Sequence, residues 1–510
     1  MKKSLIGLFL VGLVASLIML GCGQKQKEQT EEELAQYLDN QEQTLENISV
    51  QMGNAMWNLY TGEGNADLKT PRQRFYQLFT DATLNSTIDN WYAKRDIVKD
   101  PVLNRRVLVW RYILRAGKID YSPDILAIIE AIEKFAYSKD EQILQLSDEE
   151  IKNKTIELIK VRNAKAKEAK FANYASMLLD NNYIGAMWFK DAIDKINRTT
   201  KGQYLSLIKE YKKQQRVKEF ILEDVMKLVA MYNAANYKID IKKDKIDSTL
   251  KETLLNMGIE FDSLNAKVLE TNLPFDISAK SFQVKIPSDN RIAWIPNAKL
   301  EDKMYAIGNI IQSSLNKSKY PVLKGYRWLH GGTCEAFNEG VALAAQRFVL
   351  DKTWLKKYTA ITDKDYANIK TESFKYAPAY FRYLLSKIMF ELNLYENPDQ
   401  DDIQLMDTLQ QQYLQIEKPA SKEIPRDLWI KIALEPLNQA ETLIGDMIAF
   451  HIHIALKKKY GEGYVFNKEV VKFLGQIIFA DGELNSWETR IKMLSGIGFD
   501  VKNYLRTFGK

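Results

Sequence analysis

The densest run of chemically able side chains is Trp328-Leu329-His330-Gly331-Gly332-Thr333-Cys334-Glu335-Ala336-Phe337-Asn338-Glu339-Gly340. Imidazole, thiolate and carboxylate are all zinc ligands, so His330, Cys334, Glu335 and Glu339 are candidates for a metal site. Gly331-Gly332 interrupts any helix between His330 and Cys334, and their spacing of four then no longer guarantees a common face. The same run also reads structurally, as a glycine turn into a helix that starts near Thr333 as N-cap, with Cys334 packed as a small apolar side chain. A thiolate beside an imidazole is a nucleophile pair too, although no third group in the run orients His330. The other two of the chain's 3 histidines, His451 and His453, lie two residues apart. That is about 200° around a helix, so they face opposite sides and do not chelate together. Asp481-Gly482-Glu483 lacks the alternating acidic residues of a calcium loop and reads as a tight turn.

Helices must position these groups. In 510 residues there are only 24 glycines and 12 prolines, so the chain has few places to turn sharply. A hydrophobic share of 46% with 27% charged residues excludes disorder and low complexity. From Glu31 to about Leu264 apolar residues recur at helical spacing; Leu34, Leu38, Leu45, Ile48, Met52, Met56 and Leu59 mark one stripe. Breaks fall at Gly62-Glu63-Gly64, Thr70-Pro71, Asp100-Pro101 and Ser122-Pro123. Between Asn272 and Asn297, Phe282, Val284 and Ile286 alternate with polar residues, and Arg291 to Pro296 supplies a second short strand. Helices resume at Lys299 and run to Phe508, and no repeat of fixed period is present. The fold class predicted is mainly α with a small central β ribbon. The 72 basic and 66 acidic residues are interspersed, without the basic block that a phosphate backbone selects, so no nucleic-acid partner is expected.

Residues 1–21 read as a secretory leader, with Lys2 and Lys3 ahead of the uncharged stretch Leu5 to Leu20. Gly21-Cys22 after that stretch resembles the bacterial lipobox, in which the cysteine is acylated (palmitate is a typical chain) and becomes the first mature residue. A transmembrane anchor or a plain signal peptide is the alternative. The expected organisation is a leader over 1–21, lipidated Cys22 and a polar tether over 22–32, and a single domain over 33–510. Removing Lys2 and Lys3 takes the net charge from +6 to +4. With Cys22 carrying lipid, Cys334 has no disulfide partner. The expected location is the bacterial cell envelope, facing the periplasm or surface. Gly23 in place of the aspartate associated with inner-membrane retention points to the outer membrane.

Several strips, in order along the chain, resemble the angiotensin-converting-enzyme-like peptidyl dipeptidases. They are Arg162-Asn163-Ala164-Lys165 with Phe171-Ala172-Asn173-Tyr174, then Lys299-Leu300-Glu301-Asp302, then Gln412-Tyr413-Leu414-Gln415-Ile416 and Phe450-His451-Ile452-His453-Ile454-Ala455-Leu456. The end, Asp481 to Glu488 with Leu494-Ser495-Gly496 and Tyr504-Leu505, follows the same pattern. The resemblance spans roughly Glu33 to Lys510 and implies a two-lobed, mostly helical fold around a deep central cleft. Phe337-Asn338-Glu339-Gly340 matches the strip that carries the family's metal-binding glutamate, which would be Glu339.

The family's zinc chemistry needs His-Glu-x-x-His on one helix, both imidazoles on one face and the glutamate activating water. Here that position holds Gly308-Asn309-Ile310-Ile311-Gln312, or three residues earlier Tyr305-Ala306-Ile307-Gly308-Asn309, and neither is a ligand pair. The family's transition-state His and Tyr belong in about Trp429 to Thr442, where this chain has neither; Gln439 and Thr442 stand in the approximate places of the tyrosines. The resemblance therefore implies a degenerate, catalytically inactive member that binds peptides or a partner protein in its cleft. Asn309, Gln312, Gln439 and Thr442 are its ligand-contact candidates, and no cofactor is predicted. Two alternatives stay open: an active hydrolase with zinc or another site rebuilt around His330, Cys334, Glu335 and Glu339, and a helical structural lipoprotein unrelated to peptidases.

Overall fold

The computed structural model describes residues 29–137, 146–236, 241–274, 277–418 and 423–506; the leader and Cys22 lie outside them. Helix α1, Glu31–Thr61, is closed at its start by a capping box between Thr30 and Glu33 and at its end by Gly62 at φ 75°. Its stripe Leu34, Leu38, Leu45, Ile48 and Met52 is buried. Asp100-Pro101 is a helix start, because Asp100 accepts from the amides of Val102 and Leu103 while the proline needs no donor: α2 spans Pro101–Asp120. Then follow α3, Pro123–Tyr137, α4, Asp148–Glu168, and α5, Tyr174–Asn181.

The β material forms a three-stranded sheet, where a two-stranded ribbon was expected. Strands β1, Ala266–Glu270, β2, Ala279–Lys285, and β3, Asp289–Trp294, lie in the order β1-β3-β2. β3 runs parallel to β1 and antiparallel to β2. β1 has no local signal because it stays largely exposed and carries little apolar alternation; pairing with β3 makes it a strand.

Beyond the sheet come α6, Leu300–Ser314, α7, Glu335–Phe348, α8, Asp363–Glu396, α9, Arg426–Leu434, α10, Asn438–Tyr460, and α11, Trp487–Ser495. Thr333 does not cap α7. The helix starts at Glu335 with Cys334 in the cap position and no side-chain cap, because the Thr333 hydroxyl is spent on Glu483. Glycines bring α7 close to both neighbours. A Cβ on Gly308 of α6 would lie 2.7 Å from the Ala345 Cβ, and one on Gly340 of α7 would lie 2.5 Å from Ile448 Cγ2 of α10.

Two main clusters of buried side chains make up the core. One joins residues from Leu34 to Leu114 with Ile286 and Val322 to Leu329; the other runs from Ile119 to Leu505. The central cavity takes Met52 from the first and Leu178 from the second, as the two-lobed expectation requires. Among the described residues no helix is long and apolar enough to cross a membrane.

Candidate functional site

The cavity measures about 320 Å³. α1 supplies Met52, Met56 and Tyr60 to one wall, and β2 supplies Lys280, Ser281, Phe282 and Gln283. The lining also takes Asp120 at the end of α2, Arg162 of α4, and Arg327, His330 and Glu335 around the start of α7. Glu435, Asn438 and Glu441, from the α9–α10 turn and the first turn of α10, complete it.

His330 Nδ1 donates to Asp120 Oδ2 at 2.7 Å, and the Tyr174 hydroxyl donates to the other oxygen of the same carboxylate. Burial alone would push Asp120 up, but His330, Arg162 and the Tyr174 hydroxyl hold it below the usual carboxylate range. For His330 burial works toward the neutral ring, and Asp120 outweighs it, raising the imidazole above its ordinary value. Arg162 is fixed behind the pair, its Nη1 donating to Ala433 O at 3.0 Å and its guanidinium 5.0 Å from the Tyr174 ring centroid.

A second group gathers around Arg327, which pairs with Glu335 at 2.9 Å. Glu339, one turn on, receives the hydroxyl hydrogen of Tyr305 from α6. Burial pushes the Glu339 carboxyl up. Glu441 is pushed well up by burial and then by Glu335, against the pull of Arg327, with Glu339 and Glu435 adding to the rise.

The four candidate metal residues are not brought together. His330 turns to Asp120 of α2, Glu335 to Arg327 and Glu339 to Tyr305. Cys334 is only 1% exposed and lies off the cavity wall, and burial drives its thiol far from thiolate formation. Among the described residues no group of three His, Cys, Asp or Glu is arranged to hold a metal ion. The donor set on α6 does not fit zinc either. Tyr305 is the residue that faces Glu339, and the buried Asn309 Oδ1 has no hydrogen-bond partner.

The ligand-contact candidates sit beside the main cavity. Asn309 and Gln312 line a separate cavity of about 20 Å³. There Gln312 Nε2 donates to Asn338 Oδ1 at 2.8 Å, and Asn338 Nδ2 donates to Thr333, which donates to Glu483, held in turn by Arg490 at 2.8 Å. Gln439 and Thr442 are half-buried and do not line the cavity, while their neighbours Asn438 and Glu441 do. His451 is buried with its ring 5.1 Å from that of Phe499, and His453 packs elsewhere, bonded through both nitrogens to Tyr464 and Ala344 O. Burial lowers the His453 imidazole to about 3, a structural, uncharged ring. Asp120, Arg327, Glu435 and Glu441 carry no motif of their own; Arg162 and Tyr174 fall within a recognisable strip, and Tyr305 heads one register of the missing zinc motif.

No protein-family model and no curated protein matches the chain. Solved structures do. The M32 carboxypeptidase of Deinococcus radiodurans R1 is 12% identical with a TM-score of 0.60, over 94% of this chain and 100% of that one. Metallocarboxypeptidase 1 of Trypanosoma cruzi is 11% identical with a TM-score of 0.64 at the same coverages, and a Pyrococcus furiosus carboxypeptidase is 12% identical at 0.63, over 94% and 99%. The fold is metallopeptidase-like. At such identities the likeness concerns the fold alone. These metallopeptidase-like neighbours are carboxypeptidases, so the broader part of the expected resemblance, a mostly helical metallopeptidase fold, is what they support.

Proposed function

We propose that the protein is a membrane-tethered bacterial lipoprotein with a peptidyl-dipeptidase-like fold. In this reading its cleft binds peptides or an extended segment of a partner protein without zinc-dependent hydrolysis. The observation that carries this reading is Tyr305. In a metallopeptidase-like fold it occupies the face of α6 directed at Glu339 and donates its hydroxyl hydrogen to that carboxylate. A phenol in its neutral form is a poor zinc ligand, and burial, with the Glu339 carboxylate next, pushes this one well above its ordinary range. Peptide binding is supported by β2. It is one of the two edge strands of the sheet, and Lys280 to Gln283 lie along the cavity, so an extended peptide has a backbone to pair with.

The test is zinc content by mass spectrometry of the soluble body from Gly23 onward, purified without chelators and incubated with excess Zn²⁺, followed by calorimetry with a peptide library. Zinc far below one equivalent together with saturable peptide binding supports the reading. Near-stoichiometric zinc that disappears in Glu339→Ala overturns it. Tethering is tested separately, by the acyl mass on a peptide beginning at Cys22.

A second reading rests on the His330–Asp120 pair, an imidazole oriented by a buried carboxylate at the cavity wall, as in a general base that takes a proton from water. Peptide hydrolysis in chelator, abolished in His330→Ala, would favour this hydrolase over the non-catalytic reading.

A further inference from the structure

We infer that the surface at the root of the tether, from Trp91 to Lys99, rests on the lipid bilayer that holds the acylated Cys22. The inference rests on the tethering reading above and names the face of the body that meets the membrane. Seven peptide units separate Cys22 from Gln29, and they reach at most about 25 Å. A domain of this length is roughly 60 Å across, so the tether holds one side of the body close to the headgroups. That side is fixed by three hydrogen bonds. Trp91 Nε1 donates to Gln29 Oε1 at 3.0 Å, and Glu31 accepts the amide hydrogens of Lys99 at 3.1 Å and Asp100 at 3.3 Å. The chain therefore enters the body between Trp91 and Asp100.

Between those two points an apolar side chain stands in the open. The helix Ala82–Ala93 carries Trp91 and Tyr92 in its last turn, and one 3-10 turn, Arg95–Ile97, follows. Val98 is buried, which leaves Ile97 outward at 70% exposure. Among the described residues only Met187 has a more open large apolar side chain. A single exposed isoleucine is ordinary on a protein surface; this one is set apart by its place at the root of the tether.

Its neighbours suit a headgroup layer. Trp91 and Tyr92 are half-buried, and the Arg95 guanidinium lies 5.3 Å from the Tyr92 ring centroid. Aromatic rings and an aliphatic side chain enter the interface while Lys94, Arg95 and Lys99 extend their charged ends toward water. Glu31, Glu32 and Asp96 offset these bases, so apolar contact carries the binding and attraction to anionic lipid adds little.

The experiment places a nitroxide on the acylated full chain in phosphatidylethanolamine vesicles containing phosphatidylglycerol. Cys334 is 1% exposed and Cys22 is blocked by acylation, so an introduced cysteine is the thiol open to the label. Asp96→Cys is exposed and leaves Ile97 intact. Met187→Cys is the reference, on the helix Ala186–Gln215, which packs in the other main cluster. The label at 96 should be shielded severalfold from an aqueous nickel chelate and stay open to oxygen, at low and high salt alike, while the label at 187 stays open to the chelate. Adding Ile97→Asn to Asp96→Cys should restore access of the chelate. Equal access at 96 and 187, shielding that high salt removes, or shielding unchanged by Ile97→Asn overturns the inference and leaves tethering standing. A Cys22 peptide without acyl mass overturns both.

Discussion

The hydroxyl of Tyr305 donates to the carboxylate of Glu339, joining α6 to α7 across their packed faces. Tyr305 and Asn309 are four apart on α6 and so share a face of the helix. Tyr305→His combined with Asn309→His therefore places two imidazoles beside Glu339. The double variant should take up close to one equivalent of zinc where the wild type takes far less, and adding Glu339→Ala should remove it. Zinc uptake equal in wild type and double variant would show that α6 does not face Glu339 as described.

Tyr305→Phe removes the hydrogen bond that a half-buried carboxyl, Glu339, accepts. Such a loss costs about 1–3 kcal/mol, and urea unfolding should show a lower midpoint with an unchanged slope. Burial already raises the Glu339 carboxyl and the lost hydrogen bond had opposed that rise, so the deficit should grow as pH increases.

His330 and Asp120 stabilise each other only while both are charged. Asp120 is held below the usual carboxylate range and His330 above the usual imidazole value. The contribution should fade on the acid side as Asp120 protonates, and on the alkaline side as pH passes through the raised His330 value. The His330 side chain is 40% exposed, so solvent screening limits the effect to about 1 kcal/mol. His330→Gln should lower and flatten the thermal stability profile between those limits. A profile that keeps its wild-type shape would count against the pair.

Glu391 is a buried carboxyl of α8 that accepts the Leu437 amide hydrogen at 2.7 Å, and burial pushes it up to about 8. Leu437 sits at φ 63°, a left-handed conformation that costs a leucine energy and that this bond helps to hold, directly after the cavity-lining Glu435 and Pro436. With its pKa raised in the folded state, the protein loses stability as pH climbs from the ordinary carboxylate range to about 8. Glu391→Gln keeps an acceptor for Leu437 and has no charge to bury. Its melting temperature should change less over that interval and exceed the wild type at pH 8.

Gly340 separates α7 from α10. A methyl group there meets Ile448 Cγ2 at 2.5 Å, so Gly340→Ala should cost about 1–3 kcal/mol through forced displacement of the helices. Ile448→Ala removes that Cγ2, so the double variant should lose less than the sum of the two single losses in a chemical denaturation series.

Helix content, the breaks between helices and the capping of α1 follow from local patterns in the chain, because helical periodicity and N-cap chemistry act over a few residues. Glu339 was singled out by the family resemblance alone, while the lack of an imidazole pair on α6 is plain from the residue types themselves. The local reading placed the start of α7 too early, since the Thr333 hydroxyl that would have capped the helix is taken by Glu483, 150 residues away. It also missed β1, which becomes a strand only through β3. His330 was read without an orienting group because Asp120 lies 210 positions earlier and no motif links them. The grouping of Glu335, Glu339, Glu435 and Glu441 around Arg327 likewise depends on how α7 packs against α10. Residue types and helical spacing are properties of the chain itself. Which charges share a low-dielectric space, and which donor meets which carboxylate, are decided only when distant helices close on one another.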